Sequence, residues 1–171
     1  MKQEMDLYEA SGKLLKGLKT GALLMTRKED QVNAMTIGWA CLGIEWGKPM
    51  LVVYVRDSRF SKELLEANPN FTVCFPEGEE CKSILKVCGR QSGRDVDKIR
   101  ELGLTLEEPA ANGVPGVKEL PLTVECRVVF RKRQEPETMD PQLLRSWYSG
   151  AAEGNFHTAY YGEIVSMYNI V

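Results

Sequence analysis

The stretch from Leu122 to Arg131 constrains the fold most. Leu122, Val124, Cys126, Val128 and Phe130 are apolar, and Thr123, Glu125, Arg127 and Arg131 alternate with them; only Val129 breaks the polar side. A period of two is a strand and not a helix, and a strand with one apolar face belongs to an antiparallel sheet lying on the core. Met50 to Val55 is apolar throughout and rich in β-branched residues, which predicts a strand buried on both faces. Phe71 to Phe75 alternates and ends at Pro76, and His157 to Ile170 is a long β-rich run. Ala22 to Thr26 predicts a short strand, with a charged hairpin turn at 27–30. The chain is β-rich again from Val32 to Cys41, where Gly38 predicts a bulge or a close approach by a backbone or ligand, and 43–49 predicts a loop.

Helical signals are shorter. Leucines among charges over 6–18 predict a helix or a covering arm. Phe60 and Leu64 share a helical face that Asn68-Pro69 ends. Residues 79–87 predict a helix with Ile84, Leu85 and Val87 inward, and 95–102 predicts another, followed by Gly103. Asp140-Pro141 opens a short helix to Trp147, and 105–120, with two prolines and two glycines, predicts an irregular segment. Strands separated by short helices, without a βαβ rhythm, predict a mainly β protein with short helices: one domain over 1–171 built as an antiparallel β-barrel.

Charge and cysteine content narrow the function classes. Twenty-two basic residues stand against 24 acidic ones, a formal net charge of −2. Such a chain has no cationic excess with which to displace counterions from a polyphosphate, so nucleic acid is not an expected partner. No apolar run reaches the roughly 20 residues of a membrane helix. The segment from Met1 to Asp6 has no apolar signal core, so a cytoplasmic location and no membrane partner are expected. Five cysteines and no Cys-x-x-Cys pair argue against a disulfide framework, and a single histidine, His157, argues against a zinc site; no metal is expected. Cys41, Cys74 and Cys126 read as small core residues, and Cys81 and Cys88 fall on one helical face.

Four segments carry possible chemistry. Arg56-Asp57-Ser58-Arg59-Phe60-Ser61 joins a buried strand to a helix start, where unpaired N–H groups favour an anion and two arginines add forked donors. A phosphate fits that set; a serine cap with solvated arginines is the plainer alternative. Cys88-Gly89-Arg90-Gln91-Ser92-Gly93-Arg94-Asp95 combines two glycines with two arginines, although Ser92 and Asp95 also fit a capping box. Along Asn33 to Trp39, alternation sends Asn33, Met35, Ile37 and Trp39 to one side and Ala34, Thr36 and Gly38 to the other. The second side is small enough for a planar ligand, but spacing alone favours packing against bulky neighbours. His157 is a candidate for acid–base work or for a hydrogen bond to a cofactor.

Taken in order, Asn33-x-Met35-Thr36-x-x-Trp39, Trp46-x-Lys48-Pro49, Arg56-x-Ser58-Arg59-x-Ser61, Asn68-x-x-Phe71-x-Val73, Cys88-Gly89 with Ser92-Gly93-Arg94-Asp95-x-Asp97-Lys98, and His157-x-x-x-x-Gly162-Glu163-Ile164 resemble the flavin reductase-like, FMN-binding split-barrel family, in particular its flavoredoxin branch. Gly38 stands where many members carry Ser, and Ser61 where Thr is common. The resemblance implies a split β-barrel homodimer with FMN near the dimer interface. It implies that Asn33, Met35, Thr36, Ile37, Gly38 and Trp39 flank the flavin ring. It implies that Arg56, Ser58, Arg59 and Ser61 hold the phosphate, with Cys88, Gly89 and Ser92 contributing from the other side.

The function expected on this footing is hydride transfer from NADH or NADPH to FMN, followed by electron delivery to a small-molecule or protein acceptor. Two alternatives stand beside it: a flavin-carrying electron-transfer protein without nicotinamide turnover, and a non-catalytic barrel whose arginines make structural ion pairs.

Overall fold

The computed structural model describes residues 1–77 and 81–171. The first half runs β1 (Lys2–Glu4), α1 (Leu7–Thr20), β2 (Ala22–Lys28), β3 (Gln31–Ile37), β4 (Ala40–Glu45), β5 (Lys48–Arg56), α2 (Phe60–Ala67) and β6 (Asn70–Phe75). The second half runs α3 (Lys82–Arg90), α4 (Lys98–Glu101), β7 (Leu106–Glu107), β8 (Gly116–Val117), β9 (Leu122–Arg133), α5 (Pro141–Trp147) and β10 (His157–Ile170). One antiparallel sheet is ordered β3-β2-β6-β9-β10-β5-β4, with β1 added to the far end of β10, and β7 and β8 form a separate small ribbon. The sheet is a split barrel: β3 and β4 are consecutive in the chain yet occupy opposite ends of the hydrogen-bonded order, joined through Gly38 and Trp39.

The barrel interior is filled by Leu24, Met35, Leu51, Val53, Val55, Phe71, Val73, Val124, Cys126 and Tyr160, and α1 covers it with Ala10, Leu14 and Leu18. Asp6 accepts hydrogen bonds from the Tyr8 and Glu9 N–H groups and so caps α1. A second cluster lies outside the barrel, where Cys81, Leu85 and Cys88 of one α3 face meet Leu23, Met25, Ala34 and Cys74. The Met50–Val55 run is buried apart from Tyr54, as its composition predicts, with Leu51, Val53 and Val55 in the barrel core.

Several local expectations are corrected. Residues 43–49 are not a loop but the tip of a β4–β5 hairpin, turned at Trp46 (φ +52°) and Gly47 (φ +69°). Two consecutive left-handed residues match the twist of a hairpin, and tryptophan is not a residue that announces such a turn. The helix expected over 95–102 shrinks to α4, because turns at Ser92 hold Asp95 and Val96 and the Asp97 side chain caps the Arg100 N–H instead. The helix expected from 79 is described from Lys82, its predicted first residues lying outside the described ones. Segment 105–120, read as irregular, contains the β7–β8 ribbon.

Strand β9 is not half-buried along its length. Thr123 and Glu125 are fully buried, while Phe130 is 44% exposed. Segment 109–114 folds over the first half of the strand. Both Glu125 carboxylate oxygens take backbone N–H groups from Ala110, Ala111 and Asn112, and the Tyr168 hydroxyl donates to Oε1. Cys74 and Cys126 are core residues as expected, and burial pushes the Cys74 thiol up to about 12. Cys41 is exposed, because it falls on the outer face of β4, 3.4 Å from the Tyr54 hydroxyl.

Candidate functional site

Strand β5 ends at Arg56, and the Arg59 N–H closes a turn onto the Arg56 carbonyl before α2 begins. Arg59 occupies the N-cap position and caps nothing with its side chain, so neither Ser58 nor Ser61 is a helix cap here. The guanidinium groups are oriented by neutral carbonyls: Arg56 donates to Asn155 and Trp147, and Arg59 to Gly89 at 2.9 Å. Carbonyl acceptors fix the geometry of a cation without cancelling its charge.

Both arginines open into a cleft of about 340 Å³. Its wall carries Arg56, Arg59, Arg90, Arg94 and Lys98, and no carboxylate of the described residues lines it. Arg94 reaches outward to Glu63. Arg56, Arg59 and Lys98 have no carboxylate partner among the described residues. Lys98 is only 3% exposed, and among the described residues its ammonium donates one hydrogen bond, to the Gln91 carbonyl 3.2 Å away. Burial lowers its pKa, the Cys88 thiol raises it, and Arg59 lowers it further. Burial followed by the neighbouring Arg56 lowers the Arg59 pKa. A buried cation without a counter-charge is costly, so a wall of this kind fits an anion that supplies the missing charge.

The polar framework of the cleft has a buried pair and an exposed one. Asn33 Nδ2 donates to Ser61 Oγ at 2.9 Å, and Asn155 binds Ser58 twice, accepting its N–H and donating to its Oγ. Gly93 lies directly over Asn33: a Cβ there would meet the Asn33 amide and come within 2.8 Å of the Phe60 ring. A side chain at that position would force the Asn33 amide and the Phe60 ring to shift.

A second pocket, about 160 Å³, adjoins the cleft and shares Met35, Arg56 and Arg59 with it. Its other walls are Thr36, Ile37, Gly38, Trp39, Tyr54 and His157, so it lies along the split between β3 and β5. Trp39 lies against His157 with ring centroids 4.7 Å apart, and Trp147 meets Trp39 edge-on at 4.9 Å. Burial, then the positive charges of Arg56 and Arg59 against the opposing Asp57, pushes the His157 pKa down to about 4. Its ring is therefore neutral at physiological pH and is not poised as a general acid.

The structure brings together Asn33, Met35, Arg56, Ser58, Arg59, Ser61 and Ser92 on the cleft, and Met35, Thr36, Ile37, Gly38, Trp39 and His157 on the pocket. Two sequence candidates lie off both walls. Cys88 is fully buried in the outer cluster, where burial raises its thiol pKa, and Gly89 takes part only by accepting the Arg59 guanidinium on its carbonyl. The small side of β3 is in part packed, as spacing alone favours: Ala34 lies in the outer cluster and Thr36 donates to the Leu85 carbonyl at 2.6 Å, while Thr36 and Gly38 also line the pocket. Gly38 makes no close approach; a Cβ there would meet nothing within 4 Å. Sequence reasoning missed Tyr54 and Asn155, and Gln91 and Lys98 entered only inside quoted segments. Lys98 sits among surface-like charges in the chain, and only tertiary burial distinguishes it.

The class of protein is now defined: a split antiparallel barrel with a cationic cleft continuous with an aromatic pocket at its split. Residues 15–170 match the flavin reductase like domain, and the chain belongs to that family. An uncharacterized protein of Archaeoglobus fulgidus is 33% identical over 115 residues, which cover 67% of this chain and 62% of that protein. The chain therefore spans less than two thirds of the length of that relative. Flavoredoxin of Methanosarcina acetivorans is 27% identical with a TM-score of 0.66, over 88% of this chain and 68% of that one. An FMN-binding domain of a flavin reductase-like enzyme from Shewanella baltica is 18% identical with a TM-score of 0.72, over 99% of this chain and 77% of that one, and shares the fold. No helix among the described residues is long and apolar enough to cross a membrane.

Proposed function

We propose that this chain is an FMN-dependent reductase that accepts reducing equivalents from NADH or NADPH and passes them to a second acceptor. The observation that carries the reading is the cleft wall, where Arg56, Arg59 and the buried Lys98 converge with no carboxylate among the described lining residues. That donor set fits a phosphate dianion, and the adjoining pocket, walled by Trp39, Tyr54 and His157, fits a flat ring system. When bound, FMN supplies hydride acceptance from a reduced nicotinamide and electron delivery to the next acceptor.

The residues of the chain do the rest. Arg56, Arg59 and Lys98 neutralise the phosphate, and the Asn33–Ser61 and Asn155–Ser58 pairs hold the corner that positions them. Trp39, held edge-on by Trp147, supplies an aromatic wall of the inner pocket. His157 stays neutral at physiological pH, as suits hydride transfer between stacked rings. Membership of the flavin reductase like domain family supports this reading.

A homodimer belongs to the same proposal. Its support is the aromatic cluster left on the outer sheet face, where Trp46 is 58% and Phe130 44% exposed, with Tyr161 5.0 Å from Phe130. Sedimentation measures it, and Trp46→Glu with Phe130→Glu is expected to give monomer.

The deciding experiment is the visible absorption of protein mixed with FMN and desalted, before and after anaerobic NADH or NADPH. Retained yellow colour that bleaches with the nicotinamide and returns in air is the expected result. Retained colour that does not bleach excludes the reductase, and loss of all colour on desalting excludes the flavin site.

A further inference from the structure

The hydrogen bonds behind the aromatic pocket determine which His157 nitrogen carries the proton. The backbone N–H of His157 points at Gln134 Oε1, 3.1 Å away. A backbone N–H only donates, so the atom it meets is the amide oxygen. That oxygen also lies 2.7 Å from the Tyr148 hydroxyl. Since it can only accept, the hydroxyl's single hydrogen goes to Gln134. The hydroxyl also lies 2.7 Å from His157 Nδ1, and its hydrogen is already committed. Nδ1 must therefore be the donor. Among the described residues Nε2 has no protein partner, and the ring lines the pocket beside Trp39.

Tyr148 itself is held in place. It is 6% exposed, it stacks on Phe156 at 4.9 Å, and the Arg56 guanidinium lies 5.4 Å over its face. The charged groups acting on the imidazole are Arg56, Arg59 and Asp57, and the two arginines oppose a second ring proton.

We propose that Tyr148 is a positioning residue: with Gln134 it holds His157 as the Nδ1–H tautomer, so that Nε2 presents a lone pair to the pocket and selects a ligand edge that donates an N–H. The partner class is an amide or imide N–H, as carried by the pyrimidine edge of a flavin or by a carboxamide; a carboxylate in that place meets lone pair against lone pair. The choice of these two ligands rests on the proposed function, whereas the tautomer rests on the hydrogen bonds alone.

His157 is the only histidine in the chain, so an imidazole ¹⁵N spectrum of the labelled protein reports this ring without assignment. The flavin-free protein near neutral pH is expected to show a pyrrole-like Nδ1 and a pyridine-like Nε2. Tyr148→Phe removes the acceptor for Nδ1–H, and Gln134→Leu frees the hydroxyl hydrogen to turn onto Nδ1. Each is expected to shift the ring toward the Nε2–H tautomer. A wild-type spectrum with pyrrole-like Nε2 overturns the proposal whatever the variants do, as does a tautomer unchanged in folded Tyr148→Phe. FMN and then NAD⁺ are added next, with binding followed by flavin absorbance. A move of Nε2 to lower frequency at the first addition assigns the flavin edge as its partner, and at the second the carboxamide. Nε2 unmoved with both bound overturns the acceptor role. Failure of FMN to bind defeats the flavin reading instead and leaves the tautomer to be decided by the unliganded spectrum.

Discussion

Asn33 and Ser61 share a hydrogen bond of 2.9 Å although 28 residues separate them, and both side chains are buried, Ser61 completely. The bond ties β3 to the first turn of α2, so one contact links the strand beside the aromatic pocket to the corner that carries the arginines. Asn33→Ala leaves the Ser61 hydroxyl buried without its donor, an expected loss of about 1–3 kcal/mol. Urea denaturation measures it, and the same variant is expected to bind FMN more weakly because the corner loosens.

Lys98 separates stability from binding. Its ammonium is buried with one carbonyl partner and no carboxylate among the described residues. Lys98→Met removes an uncompensated charge while keeping the length of the stem. The unliganded variant is expected to be as stable as wild type or more so by thermal melting. FMN affinity is expected to fall about 10- to 100-fold, the scale of one charge-assisted contact, with riboflavin affinity unchanged. An equal loss for both ligands would place Lys98 away from the phosphate.

His157 couples pH to stability. Its folded pKa is lowered to about 4, chiefly by burial and then by Arg56, from an ordinary value of 6.5. The unfolded chain therefore takes up a proton between these values that the folded chain refuses. The associated stability is fully present above about pH 6.5, falls as pH drops toward 4, and changes no further below that, by at most about 3 kcal/mol. His157→Gln is expected to flatten that part of the profile. Urea denaturation of wild type and variant at several pH values between about 7 and 4 checks the difference.

Glu125 is the clasp of the 109–112 segment. Its carboxylate is fully buried and takes three backbone N–H groups and the Tyr168 hydroxyl. Glu125→Gln replaces one acceptor oxygen by an NH₂ that faces donors, with an expected loss of about 3 kcal/mol. Hydrogen exchange is expected to rise first at Ala110, Ala111 and Asn112.

The chain order by itself determined the β character, the Met50–Val55 strand buried but for Tyr54, the α5 start at Asp140-Pro141, and the concentration of phosphate-type donors between Arg56 and Ser61. These are local properties: side-chain period, a cap beside a proline, and forked cations at a strand–helix junction are written in neighbouring residues. Tertiary structure alone decided that the polar face of β9 is buried, because Glu125 meets donors from 109–112 that no alternation along the strand reveals. It also decided that Cys88 turns into the outer cluster while Lys98, ordinary in sequence, becomes a buried cation on the cleft. Whether a lysine is solvated or enclosed depends on the tertiary packing around it, and here packing leaves Lys98 only 3% exposed on the cleft wall. The proton position on His157 was likewise beyond the sequence, since it follows from Tyr148 and Gln134 arriving within 3.1 Å of the same residue from two other elements.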